Sequence, residues 1–376
     1  MENELPLPMP DRRTLNNNYL IKNAEYNKIE DTNKFKKSSN NSKIEFNELK
    51  ESKVSVMSTA QIMQIEDMRN KILSYKLLSD KSIYINTFQN DNKINKCNII
   101  LFGPSGGGKS SFIKSLYRAL YNSPILPSDT INKLIIRKKY HNEGTLLFTK
   151  LHLVKETENN SGIMICDTRG HVKMNSNEKE QFKVLLDGKV KDGINIEQRA
   201  NRDPLALWEF WKKSSELFPK EIFNEEESGN IKSIPHAVVF VFDGSTEEIV
   251  QSEDINFYKD LVNLSKSKGY KDVHVILSRV DEFEKNILLR NQNLPESERH
   301  TKLNKMKDNK IEKVISILGV NRSNVHFIEN YHLDNQNSNS TEIDYNVLKT
   351  MIDMLNTSEL FILEKMTKKF NCFGLC

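Results

Sequence analysis

The stretch "NIILFGPSGGGKSSFIKSLYRAL" (98–120) constrains the fold more than any other part of the chain. A short apolar run leads into a glycine-rich loop, and a pattern typical of an amphipathic helix follows directly. Gly103, Gly108, Lys109 and Ser110 fit the spacing G-x-x-x-x-G-K-[ST] in this strand–loop–helix context. Because glycine has no side chain, the backbone N–H groups of such a loop can approach phosphate oxygens closely. The stretch therefore predicts a phosphate-binding loop; a glycine-rich turn with a chance lysine is the alternative.

Short apolar runs rich in β-branched residues alternate with helical patterns along the rest of the chain. After "NIILF", they are "KLHLV" (150–154), "GIMIC" (162–166), "AVVFVF" (237–242), "VHVIL" (273–277) and "NVHFI" (324–328). Strands that alternate with helices favour a mostly parallel sheet covered by helices on both faces. We therefore predict a three-layer α/β fold of the GTPase-like P-loop NTPase class, with one antiparallel edge strand.

The composition along the chain predicts four regions. They are a disordered polar tail (1–55), a helical lead-in (56–91), a GTPase-like nucleotide-binding domain (92–360) with an insertion at about 171–235, and a C-terminal helix end and tail (361–376). The tail is rich in Asn, Lys, Ser and Glu and has too few apolar residues to bury. The lead-in is predicted to be helical because apolar residues recur at helical spacing, namely Ile62, Ile65, Met68 and Ile72.

Composition and charge narrow the class of protein. The chain has 376 residues, 37% hydrophobic and 28% charged, and a formal net charge of +4, which is too small to indicate nucleic-acid binding. No apolar stretch approaches the roughly 20 residues of a membrane span, and the N-terminus lacks the apolar region of a signal peptide. The four cysteines form no metal-binding spacing. Cys97 and Cys166 lie in apolar runs, so we expect reduced core thiols in an intracellular protein.

A second candidate segment is "CDTRGH" (166–171), directly after an apolar run. A carboxylate at a strand end can hold Mg²⁺, so Asp167 is predicted to do so together with the Ser110 hydroxyl. The amide of Gly170 is expected to reach the γ-phosphate. His171 follows that glycine and is a candidate for orienting the attacking water, because a neutral imidazole can hold a water through one ring nitrogen. A solvated loop residue is the alternative.

A threonine is also expected on Mg²⁺ in the triphosphate-bound state. Thr149 directly precedes the run "KLHLV" and is the preferred candidate, with Thr145 nearby as the other. The loop positions predicted to contact the nucleotide are Gly103, Pro104, Ser105, Gly106, Gly107, Gly108, Lys109, Ser110 and Ser111. Lys109 is expected to supply positive charge to the β- and γ-phosphates.

The segment "VILSRVDEF" (275–283) indicates which base is bound. Ser278, Arg279 and Asp281 fit the N/T-K-x-D element of GTPases, with Ser and Arg as substitutions. The Asp281 carboxylate can accept hydrogen bonds from N1–H and the exocyclic amine of guanine, which adenine does not offer in that geometry. The Arg279 stem is expected to cover the base plane, and Asn330, after "NVHFI", to contact guanine O6. An exposed charge cluster is the alternative interpretation.

Two further segments suggest contacts with partners. The insertion at 171–235 contains both tryptophans, Trp208 and Trp211, and lies after the loop expected to sense the γ-phosphate. It is either an extra packed helix or a surface for a protein partner or self-assembly. The C-terminal "KMTKKFNCFGLC" places basic residues beside Cys372 and Cys376, so membrane contact through lipidation competes with a plain frayed helix end.

In order, the motifs resemble the interferon-induced forty-four-kilodalton protein family, a branch of P-loop GTPase-like proteins. The resemblance covers about residues 65–357, and "LLDGKVKDGI", "IENYH" and "IDYNVLKTMIDML" are its more specific segments. It implies a cytoplasmic guanine-nucleotide-binding domain, with defence-related or scaffolding roles in some relatives. Ser278, Arg279 and His171 depart from the family pattern. Some relatives carry an N-terminal TLDc domain, for which residues 1–55 are too short and too polar.

The function predicted from the sequence is binding of GTP or GDP with Mg²⁺ and slow GTP hydrolysis, as a switch or assembly regulator. Lys109, Thr149 and His171 are the candidate catalytic residues. A non-hydrolysing scaffold with a structural or degenerate nucleotide site is the main alternative. An ATPase is less favoured because of Asp281 and because no second carboxylate is obvious beside Asp167.

Overall fold

The structure is a computed structural model that describes nine segments of the chain. They are residues 59–79, 94–126, 148–168, 170, 176–190, 229–246, 248, 254–332 and 340–373. Several of the sequence-based predictions lie outside these residues or concern side chains that are not described. They involve the tail 1–55, Thr145, His171, Trp208, Trp211, Cys372 and Cys376.

The described secondary structure alternates between helices and strands. In chain order the elements are α1 (Thr59–Leu73), β1 (Lys96–Phe102), α2 (Lys109–Tyr121), β2 (Thr149–Val154), β3 (Gly162–Asp167), α3 (Ser176–Leu186), β4 (Ala237–Asp243), α4 (Ile255–Ser267), β5 (His274–Ser278), α5 (Val280–Arg290), α6 (Glu296–Leu318), β6 (Val325–Ile328) and α7 (Thr341–Phe373). A 3₁₀ turn, Arg322–Asn324, precedes β6. Each apolar run singled out in the sequence is therefore a strand.

The six strands form one sheet in the order β2-β3-β1-β4-β5-β6. Neighbouring strands are parallel except β2 and β3, which pair antiparallel at one edge. This confirms the predicted GTPase-like P-loop NTPase class, a mostly parallel sheet with an antiparallel edge strand. Because β1 has β3 on one side and β4 on the other, the strand order reverses around it. In such sheets ligands bind outside the carboxyl ends of the strands at this reversal.

Both faces of the sheet are buried, which produces three layers. On β1, Ile99 and Leu101 pack into one apolar cluster with residues of α1, α2 and α7. Ile100 and Phe102, which point to the opposite face, pack with residues of α3, α4 and α6. Side chains alternate between faces along a strand, so a continuous apolar run such as "NIILF" suits a strand that is buried on both sides. Cys97 and Cys166 are buried free thiols, as the sequence predicted.

Helix α1 packs against the domain along one face. Ile65, Met68 and Ile72 are buried, whereas Ile62, at the same helical spacing, is 53% exposed. Arg69 lies between these apolar positions. Its Nε donates to the carbonyl of Ala119 at 2.6 Å, and its Nη2 lies 2.5 Å from a carboxylate oxygen of Asp344. The lead-in helix is thereby bonded to both α2 and α7. Within the described segments, no helix combines the length and apolarity needed to cross a membrane.

Three histidines are neutral parts of the fold. His236 and His274 are buried, and His326 is half-buried. The Nδ1 of His236 accepts from the backbone N–H of Asn98 at 3.0 Å, and its Nε2 lies 2.7 Å from the carbonyl of Ile231. His274 and His326, on adjacent strands, place Nδ1 and Nε2 3.0 Å apart. Burial lowers the pKa of His236 and of His274 to about 4 and that of His326 to about 3.

These lowered pKa values couple stability to pH. A histidine that stays neutral in the folded protein makes its full contribution to the free energy of unfolding above the unfolded pKa of about 6.5. As the pH falls from there towards the folded pKa, the unfolded chain binds a proton that the folded chain does not, so stability is lost. Between about pH 6.5 and 5, the free energy of unfolding falls as the pH is lowered. We expect this slope to be smaller in His236→Asn by roughly 1 kcal/mol per pH unit. Urea denaturation at several pH values measures this slope.

The matched control is His300→Asn, because the His300 side chain is 52% exposed on α6. The change of slope in His236→Asn should exceed the change in this control. If His236→Asn has an unchanged slope, the buried imidazole is not the titrating group.

Candidate functional site

The loop between β1 and α2 lies where the carboxyl ends of the parallel strands meet. Residues 103–108 leave β1 and enter α2, whose first residue is Lys109. Lys109 is 5% exposed, and its Nζ donates to the carbonyls of Gly103 and Pro104, at 2.8 Å in both cases. The ammonium therefore lies inside the curve of the loop, beside the N-terminus of α2. An anion that enters this curve would meet both the ammonium and the positive end of the helix dipole.

The end of β5 supports this loop through a hydrogen bond. The hydroxyl of Ser278 donates to the carbonyl of Gly107 at 2.9 Å, and Ser278 is fully buried. Gly108 adopts a left-handed conformation, with φ of +98°, and a Cβ there would lie 2.7 Å from the Ser278 hydroxyl oxygen. The same Cβ would lie 3.6 Å from the side-chain nitrogen of Asn330. The structure thus brings Ser278 and Asn330 against the loop 103–108, and Ser278 braces it despite being shorter than asparagine.

The end of β3 reaches the other side of the loop. A Cβ on Gly170 would lie 2.5 Å from the Cα of Ser105, so only glycine permits this approach without a shift. The hydroxyl of Ser110 donates to Oδ2 of Asp167 at 2.8 Å, and Asp167 is fully buried. Thr149 is buried at the start of β2 and is the Cα partner of Asp167 across the antiparallel pair. Ser110, Asp167 and Thr149 therefore lie close together at this edge of the sheet.

Arg279 follows Ser278 in a left-handed conformation, with φ of 56° and ψ of 41°. Its Nη1 donates to Oδ2 of Asp243 at 2.9 Å. Asp243 ends β4, and its other oxygen accepts from the backbone N–H and hydroxyl of Ser245. Sequence reasoning did not identify Asp243, although its position after the run "AVVFVF" marks a strand end. A role of the Arg279 stem at a base plane stays a prediction.

Asp281, in the first turn of α5, has two neighbours that the sequence did not connect with it. Its Oδ2 lies 3.8 Å from Nε2 of His332. Asp281, Glu329 and His332 each place one potential metal-ligating atom within 4.8 Å of the other two. Glu329 and His332 belong to the segment "IENYH", which follows β6. That segment was a signal in the sequence, but its spatial relation to Asp281 is set by the pairing of β5 with β6.

The segment after β6 is anchored at Tyr331. Its backbone N–H donates to the hydroxyl of Ser115 on α2 at 2.8 Å, and its own hydroxyl lies 2.8 Å from Oδ1 of Asp344. The guanidinium of Arg118 lies over the Tyr331 ring, 3.9 Å from the centroid. Burial, followed by the nearby Asp344 charge, raises the pKa of the Tyr331 hydroxyl, which keeps it neutral. The residues on either side of Tyr331 are thereby fixed relative to α2.

Comparisons with known proteins give distant likenesses. No protein-family model matches the chain, and no curated protein sequence matches it. A dimerization-deficient mutant of Toc33 from Arabidopsis thaliana is 12% identical, with a TM-score of 0.39, over 80% of this chain and 92% of that chain. The S. cerevisiae Ski7 GTPase-like domain bound to GDP and inorganic phosphate is 12% identical, with a TM-score of 0.34. The match covers 66% of this chain and 45% of that chain. The GTP-bound form of the same domain is also 12% identical, with a TM-score of 0.35. That match covers 65% of this chain and 44% of that chain.

The close contact at Gly108 predicts a specific loss of stability. Gly106→Ala is the matched control, because Gly106 also has a positive φ, of +78°, but a Cβ there would meet nothing within 4 Å. Each substitution should lower the free energy of unfolding by about 1–2 kcal/mol, because alanine is strained in the left-handed conformation. Gly108→Ala should cost more, since its Cβ also displaces Ser278 from the loop. Urea denaturation of the nucleotide-free protein measures both. Equal losses would contradict the bracing of the loop by β5.

Proposed function

We propose that this protein binds GTP and GDP with Mg²⁺ and hydrolyses GTP slowly. The observation that supports this best is the convergence of separate strand ends on one loop. Gly170 after β3, Ser278 at the end of β5 and Asn330 after β6 all approach residues 103–108. A glycine-rich turn with a chance lysine would not need these contacts. A nucleotide site needs them, because the phosphate and base contacts must be fixed relative to one another.

The phosphates would lie against Lys109 and the N-terminus of α2. A phosphate oxygen would replace a loop carbonyl as an acceptor for the ammonium, which has three donors. Ser110 and Asp167 would hold Mg²⁺, joined by Thr149 in the triphosphate state. Oxygen ligands suit this cation. The Ser110 hydroxyl oxygen and Oδ2 of Asp167 already lie 2.8 Å apart. When bound, Mg²⁺ would neutralise charge on the β- and γ-phosphates. The expected contacts of Ser105, Gly106 and Ser111 with phosphate are part of this proposal.

The base would lie beside Asp281 and Asn330. A carboxylate that accepts two hydrogen bonds from guanine leaves those bonds unmade with adenine, which can favour guanine by about 10⁴-fold. Asn330 is 8% exposed and lies beside Gly108, so it is held close to the phosphate-binding loop. Arg279 is fixed by Asp243 at the same edge.

Hydrolysis would proceed by in-line attack of water on the γ-phosphorus, with transfer of the phosphoryl group to water and release of GDP. Lys109 and the loop amides would stabilise the charge that develops on the phosphate oxygens. His171 is proposed to orient the attacking water. The alternative is a scaffold that binds a nucleotide without hydrolysing it. A single-turnover measurement with γ-labelled GTP separates the two, since a scaffold would release no labelled phosphate.

The proposals on family, location and biological role rest on the sequence alone. We propose membership of the interferon-induced forty-four-kilodalton branch, with a cytoplasmic location and a defence-related role. The insertion at 171–235 is proposed as a surface for a protein partner or for self-assembly.

Lys109→Ala should abolish measurable binding of GDP while leaving the fold intact, because its Nζ donates to carbonyls of the loop itself. Titration calorimetry measures the affinity, and circular dichroism checks the fold. Lys114→Ala, on the same helix, is the control and should bind as the unmodified protein does. Unchanged affinity in Lys109→Ala would remove this loop from the nucleotide site.

Asp281→Asn should shift the preference from guanine towards xanthine nucleotides, because an amide can donate where xanthine presents a carbonyl. Glu282→Gln is the control, since Glu282 is the exposed neighbour in the same helical turn. Competition of GDP and XDP for a fluorescent guanine nucleotide measures the ratio of affinities. No change in that ratio would place Asp281 outside the base site.

A further inference from the structure

We propose that Asp281, Glu329 and His332 form a binding site for Zn²⁺ at the edge of the sheet where the base is expected. Each residue offers one ligand atom, and these atoms lie within 4.8 Å of one another. Carboxylate oxygen and imidazole nitrogen are both ligand types of zinc, and three protein ligands would leave a fourth position open.

The three side chains can reach a common ion with small rotations. In tetrahedral coordination with bonds of about 2.0–2.2 Å, ligand atoms lie roughly 3.3–3.6 Å from one another. The Nε2 of His332 and Oδ2 of Asp281 are already 3.8 Å apart. Their side chains are 45% and 31% exposed, so neither is locked by packing, and an ion can enter from solvent.

The backbone positions of the three ligands are fixed independently of any ion. Asp281 follows β5 by three residues, and Glu329 follows β6 directly, so the pairing of these strands sets their separation. His332 follows Tyr331, which is bonded to Ser115 and Asp344. A site on anchored backbone loses less conformational entropy on binding than one on a free loop.

The local charge also favours a cation. The nearest basic residue in sequence, Arg279, forms its ion pair with Asp243 rather than with Asp281 among the described side chains. Two carboxylates close together repel each other, and a divalent ion relieves that repulsion. The imidazole selects zinc over Mg²⁺, which prefers oxygen ligands and keeps its waters.

The site has a consequence that rests on the proposed function. Asp281 cannot ligate zinc and accept hydrogen bonds from guanine with the same oxygen atoms. Zinc and the guanine base should therefore compete, and zinc should lower the apparent affinity for guanine nucleotide without occupying the phosphate-binding loop.

The binding of zinc is tested on the full chain without nucleotide. Titration calorimetry with ZnCl₂ should show a site that Glu329→Gln and His332→Ala each weaken by at least about ten-fold, since even outer-shell partners of a metal contribute that much. The matched control is His300→Ala, because His300 Nε2 lies 3.9 Å from Glu296 in an exposed pair with a similar separation. MgCl₂ should give no signal at this site.

The metal's surroundings are read with Co²⁺ as a spectroscopic probe. Visible d–d bands without a thiolate charge-transfer band support the triad, and their loss in His332→Ala supports it further. A thiolate band, or zinc affinity unchanged in both triad variants, would overturn the proposal.

Competition is measured separately, with a fluorescent GDP analogue titrated at fixed zinc concentrations. A rise in its apparent Kd with zinc, absent in His332→Ala, supports the overlap of the two sites. If the protein binds zinc at the triad but binds no guanine nucleotide, the proposed function fails and the zinc site stands. If it binds both without competition, the overlap at Asp281 is wrong.

Discussion

The hydrogen bond from the Ser278 hydroxyl to the Gly107 carbonyl, 2.9 Å long and fully buried, joins the two halves of the site. The glycine-rich loop 103–108 follows β1, whereas the residues expected to contact the base follow β5 and β6. The bond can form only because Gly108 has no side chain, since a Cβ there would lie 2.7 Å from the same hydroxyl oxygen. The distance between the loop and the residues expected to contact a base therefore depends on one glycine and one serine. A longer side chain at either position would separate the strands or displace the loop.

The fold could be predicted from the sequence because its strands are buried on both faces. Runs such as "AVVFVF" and "GIMIC" have no polar face, and that pattern suits parallel strands between helical layers. The proximity of Asp167, Ser278 and Asn330 to the loop 103–108 follows from the same topology. Parallel strands bring their carboxyl ends to one edge, so polar residues that follow them become neighbours.

The parts that sequence reasoning missed depend on distances between elements distant in the chain. Ile62 follows the same helical spacing as Ile65, yet it is exposed because α1 presents only part of its apolar stripe to the domain. The ion pair of Arg279 with Asp243 joins the ends of two different strands, and no local sequence pattern predicts it. The grouping of Asp281 with His332 has the same origin. His332 lies 51 residues further along the chain, and only the pairing of β5 with β6 brings the two together.

The central claim is that these strand ends form a guanine-nucleotide site, and the affinities of the nucleotide-stripped protein for GDP and ADP test it most directly. Calorimetric titration in the presence of Mg²⁺ and a zinc chelator measures both under one condition. The account predicts that GDP binds with one-to-one stoichiometry and is preferred over ADP by a large factor, on the order of 10⁴. Equal affinities for the two nucleotides would contradict the assignment of Asp281 to the base, and binding of neither would contradict the nucleotide site itself.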